Sequence, residues 1–135
     1  MTGIDTNVLV RYLVRDEPRQ TAAATRFVEA ECTPESPGFV SLVVLCELVW
    51  VLGRGYRYEQ RRIAEVLAGL LAAADLEIES AEIAWQALNR FEHGKGDFAD
   101  AVIGLVGRAQ KAESTVTFDR TTAESDLFRL LPLES

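Results

Sequence analysis

Apolar residues recur every three or four positions along much of this chain, a spacing typical of helices that bury one face. The pattern predicts helices over residues 8–13, 20–31, 58–74, 81–91 and 98–112. Ser80 stands where it would cap the fourth of these helices, and Ser41 stands where it would cap a further helix. The segments between the helices are rich in Pro, Gly, Ser and Thr, which indicates loops.

Residues 42–52 form the most apolar segment, and the sequence alone leaves its secondary structure ambiguous. Its β-branched residues favour a strand. Gly53 and Gly55 follow it as C-cap glycines follow a helix, so we favour a helix. The longer apolar run over residues 39–52 covers 14 positions. A membrane-spanning helix needs ~20 apolar residues, so this run is predicted to be buried in the protein and not in a membrane.

Short strands are predicted between the helices, at residues 2–5, 39–40, 76–78, 114–118 and 128–131. This alternation predicts an α/β sandwich with a mainly parallel central sheet of four to five short strands. A length of 135 residues predicts a single domain over residues 1–135.

The net charge of −7 argues against a protein that binds DNA through a cationic face. It is compatible with a nucleic-acid enzyme, because clustered acids can hold metal ions that then meet the phosphate. Cys32 and Cys46 form no Cys-x-x-Cys pattern and no leader sequence is evident, so we expect a cytoplasmic protein with free thiols. The chain has a single histidine, His93, so a multi-histidine zinc site is disfavoured. His93 lies near a predicted helix end, and this position disfavours a nucleophilic triad.

Two carboxylates three residues apart, Asp97 and Asp100, open the last predicted helix. This spacing puts both on one helix face, where they repel each other unless a cation stands between them. Asp5 follows the first predicted strand and Asp119 follows the fourth. Asp5 could simply cap a helix, but the carboxyl ends of parallel strands are where α/β proteins bind ligands. Because all these donors are oxygens, magnesium or manganese suits them better than zinc.

Glu47 is the one acid within the apolar segment. It could pair with an arginine or face solvent, or it could belong to the same metal site, since an unpaired carboxylate in an apolar setting is costly. The basic residues concentrate at Arg54, Arg57, Arg61 and Arg62. They could form a solvated surface, or they could guide a phosphate backbone toward the acids.

Four features taken together resemble the PIN-domain nucleases, and in particular the VapC-type toxins of bacterial toxin–antitoxin pairs. They are residues 4–9 (IDTNVL), Glu47 on an early apolar helix, residues 97–101 (DFADA) and residues 115–119 (TVTFD). The resemblance covers essentially the whole chain. It implies a PIN-like three-layer α/β/α sandwich and a Mg²⁺- or Mn²⁺-dependent endoribonuclease.

The resemblance also implies roles for the acids. Asp5 and Asp100 would be the principal metal ligands, with Glu47 and Asp119 completing the acidic pocket. Asp97 would bind a second ion, orient a water or cap its helix. All five acids are therefore the expected catalytic and metal-binding set.

Further expectations concern the substrate and the partners. The resemblance makes Thr6 and Thr117 residues that line the pocket, and Arg54 and Arg57 are candidates for contact with the RNA backbone. It also implies a homodimer and a VapB-like antitoxin whose basic segment enters the site.

Three other functions would also use an acid at the end of the first strand or the same fold. A phosphatase with an aspartyl nucleophile would use Asp5 but needs a second Asp where this chain has Asn7. A receiver-type regulator needs paired acids ahead of that position. The non-enzymatic alternative is a catalytically silent PIN-like module that binds RNA or protein.

Overall fold

The computed structural model describes residues 1–134, which contain six α-helices and five strands. The helices are α1 (Thr6–Val14), α2 (Pro18–Arg26), α3 (Leu42–Trp50), α4 (Gln60–Ala72), α5 (Ala81–Glu92) and α6 (Phe98–Ala109). The strands are β1 (Thr2–Gly3), β2 (Gly38–Val40), β3 (Leu76–Ile78), β4 (Thr115–Thr117) and β5 (Phe128–Leu130). A π-helical turn extends α2 over Phe27–Glu31, another extends α3 over Val51–Gly55, and a 3₁₀ turn covers Thr122–Glu124.

All strand pairs are parallel. β2 lies between β1 and β3, with Gly3 opposite Phe39 and Val40 opposite Ile78. β4 and β5 pair separately. The predicted mixed α/β architecture with parallel strands is confirmed, and hydrogen bonds divide the strands of residues 1–134 into a group of three and a group of two.

The apolar segment that could have been a strand is helix α3. Ser41 caps it as predicted, because its side-chain oxygen accepts a hydrogen bond of 3.2 Å from the backbone N–H of Val44. The explanation from glycine caps is wrong. Neither Gly53 nor Gly55 has a positive φ, and the helix instead widens into a π turn that ends at Tyr56.

Two further predictions about helix ends need correction, one about a cap and one about a boundary. Ser80 precedes α5 but its side chain caps nothing, because its own backbone turns into the left-handed region with φ of 47°. α6 ends at Ala109 and not at residue 112, since the chain leaves the helix through Lys111, which has φ of 70°. His93 lies at the end of α5 as expected, with Nδ1 2.7 Å from the Asn89 carbonyl oxygen.

α3 lies at the centre of one apolar core and packs against both α1 and α6. Its Leu45 and Leu48, together with Leu52 of the following turn, are completely buried. Burial of each such side chain stabilises the fold by roughly 1.5–3 kcal/mol. α3 therefore holds α1 and α6 in a fixed relation, and the starts of these two helices carry Asp5, Asp97 and Asp100. No helix within residues 1–134 has the length and apolarity needed to cross a membrane.

Candidate active site

A cavity of about 930 Å³ opens between the end of α5, the start of α6 and the segment that follows β4. Three of the five predicted acids, Asp97, Asp100 and Asp119, lie in its wall. Two come from one helix turn and the third from the end of a strand, as the sequence predicted. The cavity is therefore the place where the acids of α6 and β4 meet.

The start of α6 fixes the first two of these acids. Asp97 is the N-cap residue, and its carboxylate accepts a hydrogen bond of 3.4 Å from the backbone N–H of Ala99. Phe98, next to it, is completely buried and anchors the first turn in the core. Asp100 follows in the same turn and is half-buried, whereas Asp97 is exposed.

The environment of Asp100 disfavours its negative charge. Burial raises the pKa of its carboxyl group above the ordinary value, and the charges of Asp97 and Asp119 raise the pKa further. A hydrogen bond of 3.3 Å from the Thr122 hydroxyl acts in the opposite direction. A cation bound between these carboxylates would offset both the cost of burying the charge and the repulsion from the neighbouring acids.

Thr122 contacts two of the acids and was missed by the sequence analysis. Its hydroxyl donates to Asp100, and its backbone N–H donates a hydrogen bond of 3.0 Å to Asp119 Oδ1. The second contact follows a visible pattern, since an Asp three residues ahead of a turn residue is a typical cap. The first contact joins residues 22 positions apart, and no local pattern indicates it. Thr117 is half-buried, and its hydroxyl oxygen accepts a hydrogen bond of 3.1 Å from the backbone N–H of Asp119.

The other two acids form a separate pair. Asp5 caps α1 and accepts a hydrogen bond of 2.8 Å from the backbone N–H of Thr6. The buried Thr6 hydroxyl donates a hydrogen bond of 2.5 Å to Glu47 Oε1 on α3. Both carboxylates are exposed, so the burial cost inferred for Glu47 from its apolar neighbours does not arise.

The two groups of acids lie on helices that pack together. Cys46, the residue before Glu47, has its pKa raised to about 11 by burial and by the charge of Asp97. α3 also packs directly against α6. Even so, no three Asp, Glu, Cys or His side chains of residues 1–134 lie close enough to hold a metal ion together. The five-acid metal site stays a prediction.

Neither Arg54 nor Arg57 belongs to the cavity wall. Both are exposed, and the Arg54 guanidinium lies 5.8 Å from the centroid of the Trp50 ring. The cations that do line the cavity are Arg90 and Lys95, which the sequence analysis had not singled out. They come from the end of α5 and the loop after it. This region contains no cluster of basic residues, so the sequence gives no signal for them.

Arg90 is engaged in an ion-pair network with Asp126. It donates hydrogen bonds of 2.7 and 3.3 Å to the two carboxylate oxygens, and Arg108 adds another of 3.1 Å. These bonds hold the pKa of Asp126 well below its ordinary value. The network attaches the segment before β5 to α5 and α6, and it thereby closes one side of the cavity.

Comparisons with known proteins agree with this arrangement. The VapC ribonuclease of Aquifex aeolicus (strain VF5) is 27% identical over 120 residues, which span 89% of this chain and 88% of that protein. No solved structure gives a significant match. The family model of the PIN domain matches residues 4–126, nearly the whole chain. The resemblance inferred from the sequence is thus confirmed, and the chain belongs to the PIN domain family.

Proposed function

We propose that this protein is a VapC-type toxin, a metal-dependent endoribonuclease that hydrolyses RNA phosphodiester bonds. The main support for the proposal is that Asp97, Asp100 and Asp119 line one cavity. Carboxylates placed together in this way repel each other and do not stabilise the fold, so their arrangement indicates a functional role. The similarity to a named VapC ribonuclease over 89% of the chain supports the same activity.

The donor chemistry suits a hard divalent cation. The five acids, which are Asp5, Glu47, Asp97, Asp100 and Asp119, offer only oxygen, the ligand that Mg²⁺ and Mn²⁺ prefer. Burial raises the pKa of Asp100, and the charges of Asp97 and Asp119 raise it further, so a bound cation would favour the ionised carboxylate there. When bound, such an ion would activate a water and stabilise the charge on the phosphate.

The threonines hold these carboxylates in position. Thr6 fixes one oxygen of Glu47, and Thr122 bridges Asp100 and Asp119. Thr117 supports the backbone at Asp119. A hydrogen-bonded carboxylate samples fewer orientations, so these residues would lower the cost of arranging the acids around an ion.

The proposed partners are RNA and a small antitoxin. Arg54 and Arg57 are exposed and free to contact an RNA backbone outside the cavity. The acid-rich cavity is electrostatically suited to a basic segment of a VapB-like antitoxin, which would block it. A toxin of this kind would act in the cytoplasm, where its RNA substrates are.

We also propose a homodimer. Val43 and Trp50 lie seven residues apart on α3 and therefore on one side of the helix, where 69% and 64% of their surfaces are exposed. Ile103 of α6, which packs against α3, is 53% exposed as well. Large apolar side chains concentrated on neighbouring helices are typical of protein interfaces.

The nuclease proposal is tested with purified, antitoxin-free protein and total bacterial RNA. Cleavage is expected with Mg²⁺ or Mn²⁺ and is expected to stop with EDTA or in the Asp100→Ala variant. Glu113→Ala, an exposed acid in the turn after α6, is the matched control and should cleave normally. Mapping the new RNA ends would identify the target.

The binding-module alternative draws on one observation, that no three acids of the described chain lie within reach of a common ion. It predicts RNA or protein binding without cleavage. A folded, metal-loaded protein that binds RNA but cuts none of a wide set of RNAs would favour it over the nuclease.

A further inference from the structure

The loop between α5 and α6 carries a lysine at the edge of the acidic cavity. Residues 93–97 are all exposed, and Gly94, Lys95 and Gly96 line the cavity beside Asp97. The loop thus continues the same wall that carries the first acid of α6. A cation in this position lies in the same cavity wall as Asp97, within the site that an RNA phosphate would occupy under the proposed function.

The backbone of this loop has a defined conformation. The N–H of Lys95 donates a hydrogen bond of 2.9 Å to the Arg90 carbonyl, and the N–H of Gly94 donates one of 3.2 Å to Phe91. Gly94 and Gly96 have φ of 69° and 94°, values that side-chain-bearing residues rarely adopt. A Cβ at either glycine would meet no atom within 4 Å, so the glycines serve the turn and not close packing. The loop therefore presents Lys95 from a fixed point into open space.

Lys95 is the available cation of this cavity. Arg90, the other cation of the wall, is held by Asp126. Within residues 1–134, Lys95 takes part in no ion pair. Acids outnumber bases in the lining, so the unmetallated cavity would repel an RNA backbone. An unpaired ammonium group at its edge reduces that repulsion at one position.

We propose that Lys95 binds an RNA phosphate that flanks the cleaved bond, so that it positions the substrate against the acids. This inference rests on the proposed ribonuclease function. An ammonium group is a compact charge that contacts phosphate without reading the base, so the contact adds affinity and register but no sequence specificity. Lys95 is a positioning residue, and the acids remain the residues proposed to act at the reacting phosphate.

Lys111 is the only other lysine of the chain, and it provides a matched control for the loss of a lysine charge. Lys95 precedes α6 and Lys111 follows it, so the 12 residues of this helix separate them by about 18 Å. Both lysines are exposed. Lys95→Gln and Lys111→Gln therefore remove the same charge at opposite ends of one helix.

The first measurement is steady-state cleavage of a defined RNA substrate by the two variants. Lys95→Gln should raise KM about fivefold with little change in kcat, the change expected when a substrate-binding contact is lost. The slope of log KM against log salt concentration should fall by about 0.7, because this is the contribution of one phosphate contact on a single strand. Lys111→Gln should match wild type, and thermal unfolding should be the same for all three proteins.

The second measurement does not depend on cleavage. Lysine acetylation, read by mass spectrometry, is compared with and without RNA in the cleavage-deficient Asp100→Asn background with Mn²⁺. RNA should slow acetylation of Lys95 several-fold and leave Lys111 unchanged.

The outcomes separate this inference from the proposed function. If wild type cleaves RNA while Lys95→Gln keeps its KM and salt dependence, or RNA leaves Lys95 acetylation unchanged, the role of Lys95 is overturned and the nuclease stands. A wild-type protein that neither binds nor cleaves RNA would overturn both.

Discussion

The hydroxyl of Thr6 donates a hydrogen bond of 2.5 Å to Glu47 Oε1, and this bond joins the first turn of α1 to the middle of α3. Thr6 is the one buried polar residue of the described chain, whereas Glu47 is exposed. A buried group thus orients an exposed carboxylate. The same threonine donates its backbone N–H to Asp5, so one residue contacts both acids of this pair.

Replacing Thr6 with valine removes the hydroxyl but keeps the shape. We expect RNA cleavage to fall about tenfold, because a carboxylate without its hydrogen-bond partner orients less well toward a metal. The free energy of unfolding should change by less than about 1 kcal/mol, since solvent can replace the bond at the exposed Glu47. Thr6→Ser retains the hydroxyl and should restore most of the activity. Normal cleavage by the valine variant would contradict this role of Thr6.

The raised pKa of Asp100 predicts a pH-dependent cost to stability. The folded protein binds the proton more tightly than the unfolded chain, so stability falls as pH rises from the ordinary value of 3.8 through the raised value. Asp100→Asn should therefore raise the unfolding midpoint of the metal-free protein by about 1–3 °C at pH 7, a figure discounted for solvent screening.

The pH series provides the control for this prediction. Below pH 3.8 the carboxyl group is protonated in both states, so the advantage of Asp100→Asn should disappear there. Saturating Mn²⁺ at pH 7 should stabilise wild type more than the variant, because the ion neutralises the charge that causes the cost. A variant less stable than wild type in EDTA at pH 7 would argue against a net cost of the buried Asp100 charge.

Asp126 has the opposite shift, and it predicts the opposite pH dependence. Its pKa is depressed by Arg90 and Arg108, so its contribution to stability is complete above the ordinary value of 3.8 and is lost as pH falls below it. At pH 7, Asp126→Asn should lower the free energy of unfolding by about 1 kcal/mol or less, because solvent screens the Asp126 side chain, which is 63% exposed.

The network is tested by a double-mutant cycle with Arg90→Gln in chemical denaturation. The two losses should be less than additive at pH 7, since both variants break the same contact. Strict additivity would show that the ion pair contributes nothing to stability.

The exposed apolar side chains of α3 predict an oligomer that a charge would disrupt. Trp50→Glu should shift the protein from dimer to monomer in sedimentation experiments, because a carboxylate in an apolar interface is left without a partner. Trp85→Glu on α5, where the side chain is 44% exposed, is the matched control and should stay dimeric. A monomeric wild-type protein at tens of micromolar would refute the dimer.

The elements and several helix caps were predictable because their signals are local. Asp5 and Ser41 precede their helices as caps do, and the spacing of Asp97 and Asp100 follows from the helical repeat. The assignment of residues 42–52 to a helix was correct for a different reason from the one inferred. A sequence pattern cannot distinguish a glycine cap from a π turn, because the difference lies in φ values that glycine adopts equally well.

The environments of individual side chains were predicted less accurately than the helices and strands. The apolar neighbours of Glu47 suggested burial, but only some of them, such as Leu45 and Leu48, face the core, and Glu47 lies on the exposed side of α3. Arg54 and Arg57 were predicted to contact RNA because they belong to a basic cluster. The cations that line the cavity are instead Arg90 and Lys95. Which cation faces a cavity depends on how helices pack, which composition does not encode.

The sequence by itself determined the family and the parallel α/β architecture, because both depend on residue type and short-range spacing, and on the same grounds it predicts the acids of the site. Only the tertiary structure decided that Asp97, Asp100 and Asp119 share one cavity while Asp5 and Glu47 meet through Thr6. It also placed Thr122 between two acids and Lys95 at the cavity edge. These relations join residues from separate elements, and they exist only once the buried face of α3 has brought α1 and α6 together.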